Sequence, residues 1–143
     1  MNPDQLIRTW FHEVWDEGRE DSIDRLLAPD AKVHGLIGST GPTTMIGPND
    51  FKPFFRMMRG ALGDLELRVV RTVVQDDIVA AHCVLTARHV GETLGGPPTN
   101  RPVQFEGVTI ARVKDGKFAE GWNFFDLLSM YQQLGWVDAP VLP

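Results

Sequence analysis

Apolar residues recur at helical spacing over the first half of the chain. They recur every three to four positions near the start, and this pattern predicts an amphipathic helix over 3–17. The pair Asn2-Pro3 is a typical helix start, because asparagine caps the first turn and proline suits the first helical position. Shorter patterns of the same period predict helices over 21–28 and 50–62.

The pattern then changes to alternation between apolar and polar residues, which is typical of strands. Four longer strands are predicted between 65 and 126, separated by the turn "DD", the loop "GETLGGPPTN" and the turn "KDG". A short strand "AKVHG" precedes them, a loop rich in glycine, threonine and proline is predicted over 36–48, and a last helix over 127–134 ends at Gly135. Helices followed by an antiparallel sheet predict an α+β fold, and the length predicts one domain over 1–143.

The hairpin around "KDG" predicts which side chains share a face of the sheet. Pairing back from a three-residue loop places Val108 opposite Trp122 and Gln104 opposite Asp126. One face then carries acids, an amide and an arginine among aromatic residues, namely Gln104, Glu106, Val108, Ile110, Arg112, Glu120, Trp122, Phe124 and Asp126. Because unpaired charges are costly to bury in a core, we expect this face to line a pocket. The opposite face is small and apolar, and a homodimer is expected to form through its residues Phe105, Thr109, Ala111 and Phe125.

Asp126 has two interpretations. It opens the sequence "DLLSMYQQLG" and is suited to cap the helix that follows. In a pocket lined by aromatic residues, the same carboxylate would be suited to act as a general base. Arg112 and Glu120 are diagonal neighbours on the predicted sheet and are expected either to form an ion pair or to contact a substrate. Glu106 is a second acid on the same face, and His34 is expected at the rim of the pocket.

The composition narrows the classes of partner. The net charge of −5 argues against nucleic acid and against an anionic membrane surface. No apolar run reaches the roughly 18 residues of a membrane span, and no signal-peptide pattern opens the chain, so a cytoplasmic protein is expected. With a single cysteine, Cys83, and no HxH or HxxxH spacing of the histidines, no metal site is predicted. No nucleotide-binding motif or hydrolase triad motif occurs, and no cofactor is predicted.

Several segments carry a resemblance to a known family. They are "FHEVWDEGREDSIDRLLAPDAKVHG", "RHVGETLGGPPTNRPVQFEG", "KDGKFAEGW" and "WNFFDLLSMYQQLG", which together span most of the chain. The chain resembles the SnoaL-like polyketide cyclase and ester cyclase family of the nuclear transport factor 2-like superfamily. The resemblance implies a curved sheet wrapped against three helices, forming a cone with a pocket at its open end. That fold supports many chemistries, so it does not fix the function.

The resemblance also implies roles for individual residues. In the cyclases an aspartate at the end of the last strand acts as base in an intramolecular aldol ring closure, and Asp126 matches that position. Arg112 stands where the cyclases place a histidine, and it is expected to stabilise negative charge on oxygen. Gln104, on the facing strand, is expected to hold the base or the forming enolate. The side chains expected to contact the ligand are His34, Trp122, Phe124, Glu106 and Trp15.

The predicted function is cofactor-free acid/base chemistry on a hydrophobic carbonyl compound in an enclosed pocket, either an aldol-type cyclisation or an isomerisation. Two alternatives stay open. The pocket alone would serve a non-catalytic protein that binds small ligands, and an acid–arginine–acid set would suit the water activation of an epoxide hydrolase. That set would consist of Glu106, Arg112 and either Asp126 or Glu120. The mechanism of ketosteroid isomerase is not expected, because the only tyrosine, Tyr131, lies in the terminal helix.

Overall fold

The computed structural model describes residues 1–38 and 41–138. Its helices are α1 (Pro3–Trp10), α2 (Asp21–Leu26), α3 (Gly47–Ala61) and α4 (Leu127–Gln133), and a π-helical stretch, Phe11–Asp16, directly continues α1. Its strands are β1 (Leu27–Gly38), β2 (Gly41–Ile46), β3 (Leu62–Gln75), β4 (Ile78–His89), β5 (Pro102–Lys114) and β6 (Lys117–Phe125). The predicted α+β class is confirmed. Among residues 1–38 and 41–138, the helices lack the length and the apolar character of a membrane span.

The first helix forms where the apolar period predicted it. The Asn2 side chain accepts a hydrogen bond from the Gln5 amide at 2.8 Å, and the Gln5 side chain accepts one from the Asn2 amide at 3.0 Å. This reciprocal pair satisfies two amides that the helix cannot pair internally. The buried residues of α1 are Leu6, Ile7 and Trp10, and those of the π-helical stretch are Phe11, Val14 and Trp15. One amphipathic segment therefore covers almost the whole predicted range.

The six strands form one curved sheet in the order β2-β1-β6-β5-β4-β3. Neighbouring strands are antiparallel except β1 and β6, which run parallel and place His34 beside Trp122. Helix α1, its π-helical extension and α3 pack against one face of the sheet. This inner face and the helices bury the hydrophobic core. Among the described residues, no helix packs across the outer face.

The register between β5 and β6 differs from the prediction by two positions. Ile110 rather than Val108 pairs with Trp122, and Arg112 pairs with Glu120. One position comes from the turn, because Lys114 pairs with Lys117 and the loop has two residues instead of three. The other comes from an irregularity next to Arg112, where β6 carries one extra residue. Two single shifts preserve the alternation, so the predicted grouping of side chains by face is correct although the pairs are not.

The assignment of those faces to pocket and surface was wrong. Phe105, Thr109 and Ala111, expected at a dimer contact, are 5%, 8% and 3% exposed in the isolated chain because the helices cover them. The face that was expected to line the pocket is the outer one. Apolar burial decides this outcome: the helices have broad apolar stripes, and the small apolar face of the sheet is the one that matches them.

The predicted loop over 36–48 is also wrong in its described part. Its first residues end β1, residues 41–46 form β2, and these two strands pair antiparallel. Helix α3 then begins at Gly47, three residues earlier than predicted. Gly47 has a φ of +70°, and a Cβ there would lie 2.1 Å from the carbonyl oxygen of Pro29. The glycine therefore marks a close turn into a helix, whereas residues 39 and 40 of the predicted loop lie outside the described residues.

Candidate functional site

The helices and the inner face of the sheet enclose a cavity. Its volume is about 930 Å³, a figure that includes the open mouth. The cavity-lining residues are Ile7, Trp10, Phe11, Trp15, Leu27, Val33, Gly35, Leu36, Phe51, Phe54, Met58, Leu67, Leu85, Phe105, Thr109, Ala111, Phe118, Gly121, Asn123, Phe125 and Leu127.

Aromatic side chains form the helical side of the cavity. Trp10 packs edge to face on Phe51 with ring centroids 5.2 Å apart, and Trp15 packs on Phe54 in the same way at 6.1 Å. Such pairs contribute roughly 0.5–1.5 kcal/mol beyond the area they bury, so they hold the wall in shape. The Arg59 guanidinium also donates to the main-chain carbonyl of Trp15 at 2.7 Å. Trp15, one of the predicted ligand contacts, is therefore a fixed part of the cavity wall.

Two polar side chains, Thr109 of β5 and Asn123 of β6, interrupt the apolar wall. They lie directly opposite each other in the strand register. The Thr109 hydroxyl donates to Oδ1 of Asn123 at 2.8 Å, and Nδ2 of Asn123 donates to the main-chain carbonyl of His34 at 3.0 Å. Three neighbouring strands therefore fix the orientation of this one carboxamide.

Strand β1 approaches the Asn123 main chain closely at Gly35. The φ of Gly35 is +83°, and a Cβ at this position would lie 2.2 Å from the carbonyl oxygen of Asn123. A side chain would be strained by the positive φ and would also collide with that oxygen. Glycine is required here, and it keeps the neighbouring carbonyl of His34 within reach of the Asn123 amide.

No carboxylate, imidazole, thiol, lysine or arginine belongs to the cavity lining within residues 1–38 and 41–138. Cys83 is buried in the core instead, where burial raises the pKa of its thiol to about 12. His89 is also buried, and its Nδ1 accepts from the Thr99 amide at 3.0 Å, which orders the loop after β4. The described residues contain no group of three side chains placed to hold a metal ion. Any chemistry inside the cavity therefore relies on neutral groups of the wall or on groups at its mouth.

Asp126 caps helix α4. Its Oδ1 accepts from the Ser129 amide at 3.0 Å, and the side chain is exposed. Its two neighbours, Phe125 and Leu127, line the cavity, whereas Asp126 itself does not. Of the two interpretations, the helix cap is observed. Asp126 adjoins the cavity wall in the chain, but the predicted position of its side chain inside the pocket is wrong.

Arg112, Glu120 and His34 form a polar cluster on the outer face, away from the cavity. Nε2 of His34 lies 2.7 Å from Oε2 of Glu120, and the Arg112 guanidinium lies 3.6 Å from Oε1 of the same carboxylate. The His34 ring stacks on Trp122 with centroids 5.6 Å apart, and its Nδ1 bonds the Thr44 hydroxyl at 3.0 Å. The hydrogen bond from His34, followed by the charges of His34 and Arg112, holds the pKa of Glu120 below its ordinary value.

The remaining predicted site residues do not line the cavity either. Phe124 is 63% exposed on the outer face. Glu106 is exposed and lies 3.2 Å from Nε2 of His82. The main chain of Gln104 exchanges two hydrogen bonds with the Gln133 side chain, at 2.8 and 2.7 Å, which ties β5 to α4. Of the predicted site residues, only Trp15 lies in the cavity wall. The predicted residues of β5 and β6 lie on the outer face, because the helices cover the other face of the sheet.

Sequence reasoning missed the Thr109–Asn123 pair. The signal was present: each residue is a polar side chain on the face of small apolar residues, and the strands place them opposite each other. Two polar side chains on a face of the sheet that the helices cover must form hydrogen bonds with each other or with a ligand. The prediction placed the site on the face with more charged residues. Those residues are hydrogen-bonded by solvent on the outer surface and do not require a pocket.

Comparison with known proteins supports an assignment to a family. The family model described as SnoaL-like polyketide cyclase matches residues 5–134. The chain belongs to this family. A nogalonic acid methyl ester cyclase of Streptomyces nogalater is 30% identical over 133 residues, covering 87% of this chain and 93% of the relative. An aklanonic acid methyl ester cyclase, DauD of Streptomyces sp. strain C5, is 39% identical over 137 residues, covering 94% of this chain and 83% of the relative.

Solved structures agree with this member of the SnoaL-like family in fold. TsrD of Streptomyces laurentii superposes with a TM-score of 0.80 at 27% identity, covering 94% of this chain and 95% of that one. A Catenulispora acidiphila protein with a ketosteroid isomerase-like fold superposes with a TM-score of 0.74 at 16% identity, covering 99% of this chain and 100% of that one. The second likeness shows the fold alone. The nuclear transport factor 2-like cone predicted from the sequence is thus confirmed.

Proposed function

We propose that this SnoaL-like chain is an enzyme that closes a ring in, or isomerises, a hydrophobic carbonyl compound bound in the cavity, without a bound cofactor. The observation that carries the proposal is a cavity with an almost wholly apolar lining in a chain of the cyclase family. Two relatives are named as cyclases of nogalonic acid methyl ester and of aklanonic acid methyl ester. A neutral ester suits this wall, because no cation in the described lining would pair with a buried carboxylate.

The ring closure itself needs only proton transfer. A base removes a proton from the carbon next to one carbonyl, and the resulting enolate carbon attacks a second carbonyl of the same molecule. A carbon–carbon bond forms, the second carbonyl becomes an alkoxide, and the alkoxide takes up a proton. Substrate and product are isomers, so no oxidant, reductant or leaving group is required.

Asp126 is our candidate for the base. It stands between two cavity-lining residues, and Oδ1 is engaged with the Ser129 amide, while Oδ2 has no hydrogen-bond partner in the described part of the chain. The cap holds the carboxylate in one position at the end of β6, which favours proton transfer at the mouth of the cavity. Gln104 and Arg112 are not retained as catalytic groups, because their outer-face positions do not let them contact a cavity ligand.

A non-catalytic ligand-binding protein is the second candidate. The observation in its favour is the absence of any titratable side chain from the described cavity lining. Binding needs only the apolar wall, whereas the cyclase must recruit a base from the mouth. Water activation of the epoxide hydrolase type has no geometric support, because Glu106, Arg112 and Asp126 lie on the outer face or at the helix cap rather than around a cavity.

Turnover of a neutral polyketide ester tests the proposal. The purified protein would be incubated with nogalonic acid methyl ester and with aklanonic acid methyl ester, the compounds for which the relatives are named. We expect a product of unchanged mass and altered chromatographic retention, formed faster than in buffer. The matched control is Glu106→Gln, which removes a carboxylate from the outer face and should leave the rate unchanged.

Binding and turnover together separate the two candidates. Saturable binding of either ester with no rate above buffer, under conditions in which the relatives turn it over, would support the binding protein and reject the cyclase. Loss of turnover in Asp126→Asn with retained binding would support the enzyme and the base. Equal turnover in Asp126→Asn and in the wild type would support the enzyme and reject this residue as its base.

We also propose that the chain forms a homodimer, through the outer face of the sheet rather than the inner one. Phe124 is 63% exposed there, beside the half-buried residues Val108 and Ile110. Large exposed aromatic residues on an uncovered sheet favour association. The contact between His82 and Glu106 lies on the same face and would supply polar groups around the apolar centre.

A further inference from the structure

The Thr109–Asn123 pair is unusual in its surroundings. All other described residues of the cavity lining are aromatic, aliphatic, methionine or glycine. Thr109 is 8% exposed, and Asn123 is half-buried. A threonine hydroxyl and a carboxamide at such a place lose contact with water on folding, which costs free energy unless other groups replace the lost hydrogen bonds. The pair therefore has either a structural use or a ligand.

The hydrogen bonds of the pair leave part of it unused. Nδ2 of Asn123 carries two N–H groups, and the His34 carbonyl takes one of them at 3.0 Å. Oδ1 of Asn123 accepts from the Thr109 hydroxyl at 2.8 Å. The donation to a carbonyl oxygen identifies Nδ2 as the nitrogen, so the orientation of the carboxamide follows from its partners. The second N–H has no acceptor among the described residues.

We propose that the second N–H of Asn123 donates to a carbonyl oxygen of the bound molecule, and that Thr109 holds the carboxamide in the orientation required. The inference rests on the proposed function, which supplies the carbonyl compound as ligand. It adds that the Asn123 carboxamide is the group that recognises the carbonyl oxygen. Thr109 is a positioning residue, because it acts through Asn123. A neutral donor held on two sides suits a ketone or ester oxygen, and it also suits the negative charge that develops on that oxygen when an enolate forms.

The test uses two ligands that differ at one carbon, which is a carbonyl in the first and a methylene group in the second. Fluorenone is a tricyclic ketone, and fluorene has the same rings without the carbonyl. Equilibrium dialysis of the full chain against each compound gives two affinities and hence a selectivity ratio. In Asn123→Leu, which replaces the amide by an apolar side chain of similar size, we expect the fluorenone-to-fluorene ratio to fall by roughly 2- to 13-fold, the usual worth of one neutral hydrogen bond.

Two further variants keep the result interpretable. Thr109→Val removes the hydroxyl with little change of volume, and we expect a fall in the same ratio that is smaller than in Asn123→Leu. Thr109→Val also serves if Asn123→Leu does not fold, as judged by thermal unfolding. Glu106→Gln on the outer face should leave the ratio at the wild-type value. A merely structural role of the pair would weaken both ligands alike and leave the ratio unchanged.

The outcomes separate this inference from the proposed function. Binding of both ligands with the same ratio in wild type and variants would overturn the Asn123 anchor and leave the cavity as the site of the proposed reaction. Binding of neither ligand to the wild type would overturn the anchor and remove the cavity as a ligand site as well. A shifted ratio in a protein that turns over no ester would support the anchor and count against the cyclase.

Discussion

Substitution of Asp126 separates a cap from a base in one pair of variants. Asp126→Ala removes the hydrogen bond from the Ser129 amide to Oδ1, which measures 3.0 Å. Loss of an N-cap costs about 1 kcal/mol, within a range of roughly 0.5–2 kcal/mol. For a domain of this size, about 1 kcal/mol lowers the midpoint of thermal unfolding by roughly 2–4 °C. The helix matters to the core, because its Met130 and the following Leu134 are 0% and 2% exposed.

Asp126→Asn is the matched variant. Asparagine caps helices as well as aspartate, so the only expected cost is the lost attraction between a negative charge and the start of α4, which is roughly 0.3–1 kcal/mol at most. The catalytic expectation is different, because the amide of asparagine is not a base. Turnover should therefore fall by roughly 10²–10⁴-fold in both variants if the carboxylate removes a proton.

Differential scanning calorimetry and turnover of a polyketide methyl ester would be measured on the same three proteins. The reasoning requires a lower unfolding midpoint in Asp126→Ala than in Asp126→Asn, and a comparable loss of turnover in both. An unfolding midpoint of Asp126→Ala equal to that of the wild type would refute the energetic role of the cap. Full turnover in Asp126→Asn would refute the base.

Three further predictions concern the sheet. Gly35→Ala should lower the free energy of unfolding by at least about 1–2 kcal/mol in chemical denaturation, because the φ of Gly35 is +83° and an added Cβ would lie 2.2 Å from a carbonyl oxygen. The control Gly121→Ala should be tolerated, because its added Cβ would have no neighbour closer than 3.8 Å. The pKa of Glu120 is lowered chiefly by the hydrogen bond from His34, so its contribution to stability is present above the ordinary value of 4.5 and is lost as the pH falls through the lowered pKa. Glu120→Gln should flatten the fall of the unfolding free energy below pH 4.5, and an unchanged acid limb would contradict the assignment. Phe124→Asp should shift a dimer to a monomer in analytical ultracentrifugation, and a wild type that is already monomeric at micromolar concentration would reject the interface.

The sequence by itself determined the fold class and most of the elements, with β2 as the exception. Local signals sufficed where the cause is local: the apolar period and the Asn2 cap define the first helix, and alternation defines the long strands. Alternation also sorted the side chains of β5 and β6 correctly into two faces, because the two shifts in register cancel in parity. The quoted segments were enough to indicate the family that the family model later matched.

Only the tertiary structure decided which face of the sheet the helices cover. Alternation tells which side chains point the same way, but it cannot tell which way is inward. The inward face is the one that packs best against the apolar stripes of the helices. As a result, the face predicted to line the pocket is the outer surface of the protein. The position of Asn123 in the cavity wall could not be predicted from the sequence either. Its side chain donates to the main-chain carbonyl of His34, 89 residues away in the chain, and every residue type has such a carbonyl.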